Sequence, residues 1–468
     1  MVFVWGQNVF SRSTAGEKGI VVVGLGEFDE GKTKVIQYLV KKGDISVRSQ
    51  GACSTGHTVR IQVPPCAAKG KPTCSQCQPS VEVVITLHMV PVGIIETGVK
   101  CYVTGGMFVD PTILFEEIDV LEKYGISLED KLRISSNAHI IFPYHKMLDD
   151  LARTNDKTRF VEDVVLTGAR SCAADKRYGI GIRLGDLVSP EFPKLLKKAV
   201  DRANQIITKI YNQKPLDYNK ILESYSVYIN RFTPFIRDKV EVKINKLLLT
   251  GSRVIFEGAH GTFLDISHGC YPAVSAESTT ASGICAAAGV GPTRIAHTLG
   301  VAKAYATHTG DSPFPTEIKN PSLVAHFSQK AGPGCASPKI KYGWIDIVQI
   351  RQAALLNGVN SVVLTRLDEL DGLDEIKICT HYEVDGKPLY DVPPQISDLK
   401  KAVPKYHVIK GWKGSLKDCK KFTDLPPEAR NFVKTFEHVA GVLVSYISVG
   451  PEKDQMIELV SNLLPRPS

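Results

Sequence analysis

The feature that most constrains this chain is the stretch from Gly19 to Lys42, GIVVVGLGEFDEGKTKVIQYLVKK. Ile20 to Val23 is a run of β-branched residues, the pattern of a strand buried on both faces. Gly24 and Gly26 interrupt it, and Val35, Ile36, Leu39 and Val40 then recur at helical spacing. Strand, glycine-rich turn and helix together form the setting of a phosphate loop, and Gly26-x4-Gly31-Lys32-Thr33 fits its spacing. Backbone N–H groups at a helix start, plus one ammonium, suit a polyanion. Asp29 and Glu30 do not fit a loop that only holds phosphate. An aspartate there has a use if it binds Mg²⁺ or removes a proton from the group about to receive the phosphoryl. The bland alternative is an ordinary βα turn.

Two further positions carry chemistry by their surroundings. The small-residue loop Gly51 to Gly56 ends at His57, where an imidazole can approach a ligand closely; a turn histidine bonded to backbone explains the spacing equally well. Ser361 to Asp368, SVVLTRLD, is an apolar strand ending Thr-Arg-Leu-Asp, similar to the guanine-reading [N/T]-K-x-D element of GTP-binding proteins. A rigid carboxylate at a strand end accepts from guanine N1–H and the 2-amino group together, and adenine offers no such pair. Capping of the following turn is the simpler role for Asp368.

The remaining pattern is that of an α/β chain. Val59–Val63 and Val81–Leu87 predict a hairpin whose tip, 64–80, is an insertion carrying Cys66, Cys74 and Cys77. Cys74-x2-Cys77 has zinc-knuckle spacing with Cys66 as a third ligand, against a solvated tip with no metal. Helices are expected over Pro111–Lys123, after Pro143, over Pro190–Tyr211 and over Tyr218–Asn245, the last two forming a cap. Val164–Thr167 and Gly179–Leu184 predict strands around a ligand-facing loop. Val254–Glu257 and Val301–Thr307 predict buried strands; the first leads into a Gly/Ser/Thr/His-rich loop of the kind that binds ligands at strand ends.

Of 468 residues, 43% are hydrophobic and 23% charged, as in an ordinary globular protein. The net charge of +8 is scattered, with no basic stripe for nucleic acid. No run approaches the roughly 18 apolar residues of a membrane span. Residues 1–19 have the look of a flexible leader without a secretory signal's basic start and apolar core. Eleven cysteines over this length point to a reducing compartment, hence the cytoplasm.

Taken together, DEGK (Asp29–Lys32), GHTV (Gly56–Val59), NAHIIFPYHK (Asn137–Lys146), FEGAHGTFLDISHGCYP (Phe256–Pro272), PFPTE (Pro313–Glu317), GW-x-D (Gly343–Asp346), LDELDGLDEIKIC (Leu367–Cys379) and ISVGP (Ile447–Pro451) resemble adenylosuccinate synthetase from about Ile20 to about Leu463. The resemblance implies one large α/β domain over 20–468, built on a mostly parallel central sheet with a P-loop-like GTP-binding turn, a helical cap and small antiparallel hairpins. It implies a homodimer and a GTP- and Mg²⁺-dependent ligase that phosphorylates the 6-oxygen of IMP and then couples the amine of L-aspartate. Asp29 and His57 would be catalytic, and Asp29 with the carbonyl of Gly56 would hold Mg²⁺. Phe28, Asp29, Glu30, Gly31, Lys32, Thr33, Lys34, Gly56, His57, Thr58, Lys341, Arg366, Leu367, Asp368, Ser448, Val449 and Gly450 would bind GTP. The acceptor nucleotide would meet Asp29, Lys32, Ser54, Thr55, Thr167, His260, Ser275 and Lys339. The amino acid would meet Cys335, Ala336, Ser337, Lys339 and Lys341.

Departures from the family pattern concentrate in the two substrate pockets. Ser54, His260 and Ser275 stand where the family has asparagine, glutamine and threonine. The family's cross-subunit arginine aligns with Gly179 or Ile180, with Arg170, Lys176 or Arg177 as substitutes. Lys339 and Lys341 lie where an arginine fork is expected, and a point charge does not grip a carboxylate bidentately. A paralogue with another purine acceptor or amino acid, or a nucleotide-binding protein without catalysis, are the alternatives this leaves.

Overall fold

The computed structural model describes residues 18–27, 30–53, 56–64, 80–155, 167–310, 312–330, 340–461 and 463–464. Asp29 and Phe28, Ser54 and Thr55, the cysteine-bearing tip, Cys335 to Lys339 and the leader through residue 17 lie outside them.

The architecture is set by a ten-stranded sheet. Its strands in chain order are β1 (Gly19–Gly24), β2 (Ile45–Arg48), β3 (Lys100–Val103), β4 (Leu132–Ser135), β5 (Ile236–Arg237), β6 (Val254–Gly261), β7 (Ile295–Lys303), β8 (Ser361–Thr365), β9 (Val444–Ser448) and β10 (Met456–Glu458). In space the order is β10-β9-β8-β7-β1-β6-β2-β3-β4-β5. Every neighbouring pair is parallel except β9 with β10.

Parallel strands are buried on both faces, which explains the uninterrupted apolar runs. In β1, Val21 and Val23 join one core layer and Ile20 and Val22 the other. Helix α1 (Lys32–Leu39) packs Val35, Ile36 and Leu39 into the second layer. β1 lies at the centre, between β6 and β7, where strand order reverses. Ligands of open α/β sheets collect at the carboxyl ends of such strands.

The predicted hairpin is present, His57–Val63 against Val81–Leu87. Its strict alternation puts His57 on the buried face and Thr58 on the exposed one. The helix Pro111–Lys123 forms as expected, capped by Asp110, whose carboxylate accepts from the Thr112 N–H at 3.1 Å. Phe192–Lys209 and Tyr218–Phe232 form the cap, but the helical pattern does not run on to Asn245. Pro234 stands two residues past Phe232, a short strand (β5) intervenes, and a separate helix covers Val240–Leu249.

Residues 164–166 lie outside the described residues, and the stretch 167–184 differs from expectation. Ala169–Arg177 is a helix entered through Gly168 at φ 77°, and Gly179–Leu184 contributes only an isolated bridge between Arg183 and His139. Ala169, Cys172 and Asp175, three residues apart, turn one face of that helix inward, a period that outweighs the loop-like composition. Among the described residues no helix is long and apolar enough to cross a membrane.

The starts of β2 and β6, opposite their ligand-facing ends, are locked by a buried ion pair, Arg253 Nη1 to Asp44 Oδ2 at 2.7 Å. Arg253 also donates to the Leu39 carbonyl at the end of α1. Removing one partner strands the other charge. Arg253→Met is therefore expected to cost about 3–5 kcal/mol of unfolding free energy, and adding Asp44→Leu to restore much of it, read from denaturant midpoints.

Candidate active site

The carboxyl ends of β1, β2, β6, β8 and β9 build the site. At the end of β1, Gly31 takes φ 84° to turn the chain into α1, and Lys32 opens the helix. A side chain on Gly31 would be strained there. The carboxylate of Glu30 is buried against Gly24, Gly26 and Gly261, accepts from the Gly26 N–H at 3.3 Å, and pairs with the Lys32 ammonium. One of the two carboxylates that looked out of place in a phosphate loop is thus an internal partner for its lysine. The other, Asp29, lies outside the described residues.

At the end of β2, Arg48 is fully buried and sits opposite Glu257 of β6, itself fully buried. Glu257 accepts from Ser46 Oγ and from the Val92 N–H at 3.1 Å. The Arg48 guanidinium lies 2.7 Å from Nδ1 of His57, while Glu257 stands farther from that nitrogen, at 3.5 Å. A guanidinium only donates, so Nδ1 accepts and the ring proton sits on Nε2. Burial first, and the Arg48 charge second, push the His57 pKa down to about 4. Nε2 is buried and has no hydrogen-bond partner among the described residues. The result is a neutral imidazole with one N–H donor held ready.

His260, at the end of β6, adopts φ 57°. Burial and the nearby cations Lys32 and Arg48, with His57 and Arg170, push its pKa down to about 3. The cations Lys32, Arg48 and Arg170 therefore converge on the neutral rings of His57 and His260, a combination of charge and donors fit for a phosphorylated ligand. Thr167 is buried nearby in sequence order, its Oγ1 accepting from the Ala169 N–H at 3.3 Å. The Ser275 hydroxyl donates to the Glu277 carbonyl within its own turn, at 2.8 Å. Glu277 accepts from the Gly51 N–H, and burial raises its pKa to about 7.

The strand end of β8 meets the phosphate turn directly. Thr365 Oγ1 donates to the Glu30 carbonyl at 2.6 Å. Arg366 takes φ 57° and pairs with Glu369 at 2.9 Å, Leu367 is buried, and Asp368 follows in a short 3₁₀ turn. Burial, then the neighbouring Glu369, raises the Asp368 pKa to about 6. Ser448 ends β9, Val449 and Gly450 follow it, and this segment reaches α1 through Lys34, whose ammonium bonds Ser448 Oγ at 2.7 Å and the carbonyls of Gly450 and Gln455.

Lys341 stands apart from these groups, in a two-stranded ribbon (Ala306–Thr309 with Ile340–Gly343) opposite His308, and it donates to the Gly310 carbonyl at 2.9 Å. His308 links that ribbon to the phosphate turn through Glu27, at 2.5 Å. Thr58 faces the outside of its hairpin, away from His57. Gly56 precedes that hairpin, and a Cβ there would come within 2.8 Å of Thr86.

Sequence reasoning missed Arg48 and Glu257. Their signal was present: two charged residues inside apolar strands that have no solvent-facing side. Among the described residues no group of three or more His, Cys, Asp or Glu could hold a metal ion.

A glycine-rich turn with phosphate-loop spacing and a strand-end carboxylate at the carboxyl ends of central parallel strands, with a histidine fixed as a neutral donor, define a nucleotide-dependent α/β enzyme. Comparison with known proteins narrows the class. The sequence profile described as adenylosuccinate synthetase matches residues 21–457. The adenylosuccinate synthetase of Caldanaerobacter subterraneus subsp. tengcongensis is 38% identical over 445 residues, covering 94% of this chain and 98% of the relative. That of Clostridium botulinum (strain Hall) is 37% identical over 441 residues, covering 93% and 97%. The fully ligated adenylosuccinate synthetase of Plasmodium falciparum superposes with TM-score 0.83 at 26% identity, over 95% of this chain and 100% of that one. A cyanophage S-2L succinoaminodeoxyadenylate synthetase, solved with dGMP and dATP, shares the fold at TM-score 0.55 and 14% identity, over 96% and 97%. The chain belongs to the adenylosuccinate synthetase family. It is a ligase that forms carbon–nitrogen bonds, of the GTP-dependent type that defines this family.

The His57 assignment has a consequence for stability. In the unfolded chain an ordinary histidine binds its proton near pH 6.5, whereas His57 in the fold refuses it until about 4. As pH falls from 6.5 to 4 the unfolded state therefore gains protons that the folded state does not, and stability drops. His57→Asn is expected to show a shallower fall in unfolding midpoint over that window than the unmodified protein.

Proposed function

We propose that the chain condenses IMP with L-aspartate, converting GTP to GDP and phosphate and yielding adenylosuccinate by way of a 6-phosphoryl purine. The observation that carries this reading is the orientation of His57, whose Nε2–H, without a partner among the described residues and within the field of the Lys32 charge, suits an oxygen gaining negative charge. Asp29 takes the N1 proton of the acceptor, so that the 6-oxygen becomes the nucleophile. That oxygen attacks the γ-phosphorus of GTP, and the bond to the β-phosphate oxygen breaks to release GDP. The donor amine then adds at C6 and phosphate leaves with the former 6-oxygen.

Within this scheme Gly31 to Thr33 and Lys32 hold phosphates, and Asp368 accepts from guanine N1–H and its 2-amino group. The donors available to a metal are oxygens only, the Asp29 carboxylate and the Gly56 carbonyl, which suits a hard cation such as Mg²⁺. When bound, Mg²⁺ would offset the charge of the triphosphate. Lys32, Thr167, His260 and Ser275 line the acceptor side together with Ser54, Thr55 and Lys339. Lys339 and Lys341 with Cys335 to Ser337 serve the amino acid. A homodimer in the cytoplasm, with small molecules as ligands and neither nucleic acid nor membrane as partner, completes the reading.

A second reading, a paralogue with another purine acceptor or amine donor, is favoured by His260. Its neutral ring, placed at positive φ at the end of β6, presents a donor and acceptor arrangement unlike that of a primary amide. Turnover of GTP with panels of purine nucleotides and amino acids decides between them. IMP with aspartate as the preferred pair supports the first reading; a clear preference for another pair replaces it with the second; GTP binding with no turnover on any pair contradicts both.

On the first reading, Asp29→Asn is expected to lower kcat by about 10²–10⁴, and His57→Asn by about 10²–10³ with the GTP KM little changed. The KM for GTP should rise as pH falls through about 6, where Asp368 takes up a proton and can no longer accept from both guanine donors. Steady-state rates from pH 5 to 8 check both.

A further inference from the structure

We propose that Lys34 is a positioning residue for base recognition rather than a phosphate ligand: its ammonium staples the turn 448–455 to the start of α1, beside Asp368. The inference rests on the guanine-nucleotide reading above and assigns Lys34 a different part in it.

An ammonium has three N–H donors. Those of Lys34 have three acceptors in the protein, Ser448 Oγ at 2.7 Å, the Gly450 carbonyl, and the Gln455 carbonyl at 3.0 Å. A phosphate could be reached only by giving one of them up. The acceptors come from both ends of one turn, and Gln455 closes that turn from within. Its carbonyl also accepts from the Val449 N–H at 3.1 Å, its N–H donates to the Glu452 carbonyl at 3.1 Å, and its side-chain oxygen accepts from the Glu452 N–H at 3.0 Å. Lys34 thus joins the helix that begins at the phosphate nest to the turn that follows β9.

The charges around it point to the base side as well. The carboxylates facing Lys34 are Asp368, Glu452 and Asp454, Asp368 exerting the largest pull. Asp368 in turn has Glu369 and Asp371 as like-charged neighbours and Lys34 as the cation that opposes them. Burial lowers the Lys34 pKa to about 8, so its charge is held against desolvation by these contacts. Loss of the ammonium would free the turn and leave Asp368 among carboxylates, weakening a contact made only by guanine. Phosphate binding at Gly31 and Lys32 would be untouched.

Calorimetric titration of GDP and ADP into the unmodified protein, Lys34→Met and Lys34→Arg tests this. Lys34→Met should bind GDP about 10- to 100-fold more weakly, with ADP little changed, so that the GDP-over-ADP preference collapses. In turnover, the KM for GTP should rise while kcat at saturation holds. Lys34→Arg, which keeps a cation and its donors, should retain part of the preference. Should Lys34→Met fail to fold, Ser448→Ala, which removes one acceptor, should reduce the preference in the same direction. Equal weakening of GDP and ADP would mark Lys34 as a phosphate ligand and overturn the inference, as would an unchanged preference in both variants. An unmodified protein that does not prefer GDP at all would instead remove the guanine-nucleotide reading itself.

Discussion

The short contact between the Arg48 guanidinium and His57 Nδ1 is the constraint on which the site depends. It exists because β2 and β6 run parallel and in register, placing Arg48 opposite Glu257 where neither has access to water. Two opposite charges buried side by side offset part of each other's desolvation, and removing one would leave the other uncompensated. The consequence here is chemical. The Glu257 charge is the largest to offset the Arg48 cation, the guanidinium occupies Nδ1, and the histidine is left with its proton on Nε2 and no tendency to gain a second. A protonated ring would need a closer carboxylate than Glu257 provides at 3.5 Å.

The same economy of internal partners runs through the phosphate turn. Glu30 supports Lys32 and the Gly26 N–H from beneath, and its carbonyl is fixed by Thr365. The end of β8, which presents Asp368, is thereby tied to the end of β1, which presents the phosphate nest. Lys34 extends the tie to the turn after β9. Parts that would meet phosphate and parts that would meet a purine are held in one frame by three short polar links rather than by a common loop.

Much of this frame is legible in the sequence because parallel strands leave an unmistakable trace. Ile20 to Val23, Val254 to Phe256 and Ser361 to Thr365 are apolar on both faces and are strands in the fold. The hairpin carrying His57 is equally plain from its alternation. What escapes a linear reading is contact across the sheet. Glu30 is an anomaly in its loop until Lys32 and the neighbouring glycines are seen around its carboxylate. Lys34 looks like one more basic residue near a phosphate nest, yet its three acceptors lie more than 400 positions away in the chain. Likewise Ala169 to Arg177 has the composition of a loop, and only the inward face shared by Ala169, Cys172 and Asp175 makes it a helix. The family resemblance names candidate residues for the site; it does not reveal which of them act on one another.

The tautomer of His57 can be observed directly. In a long-range ¹H–¹⁵N correlation spectrum of the ¹⁵N-labelled protein, assigned by comparison with His57→Asn, the account predicts a protonated Nε2 and an unprotonated Nδ1 that stay so from pH 5 to 8. An Nδ1–H tautomer, or an imidazolium forming within that range, would contradict it.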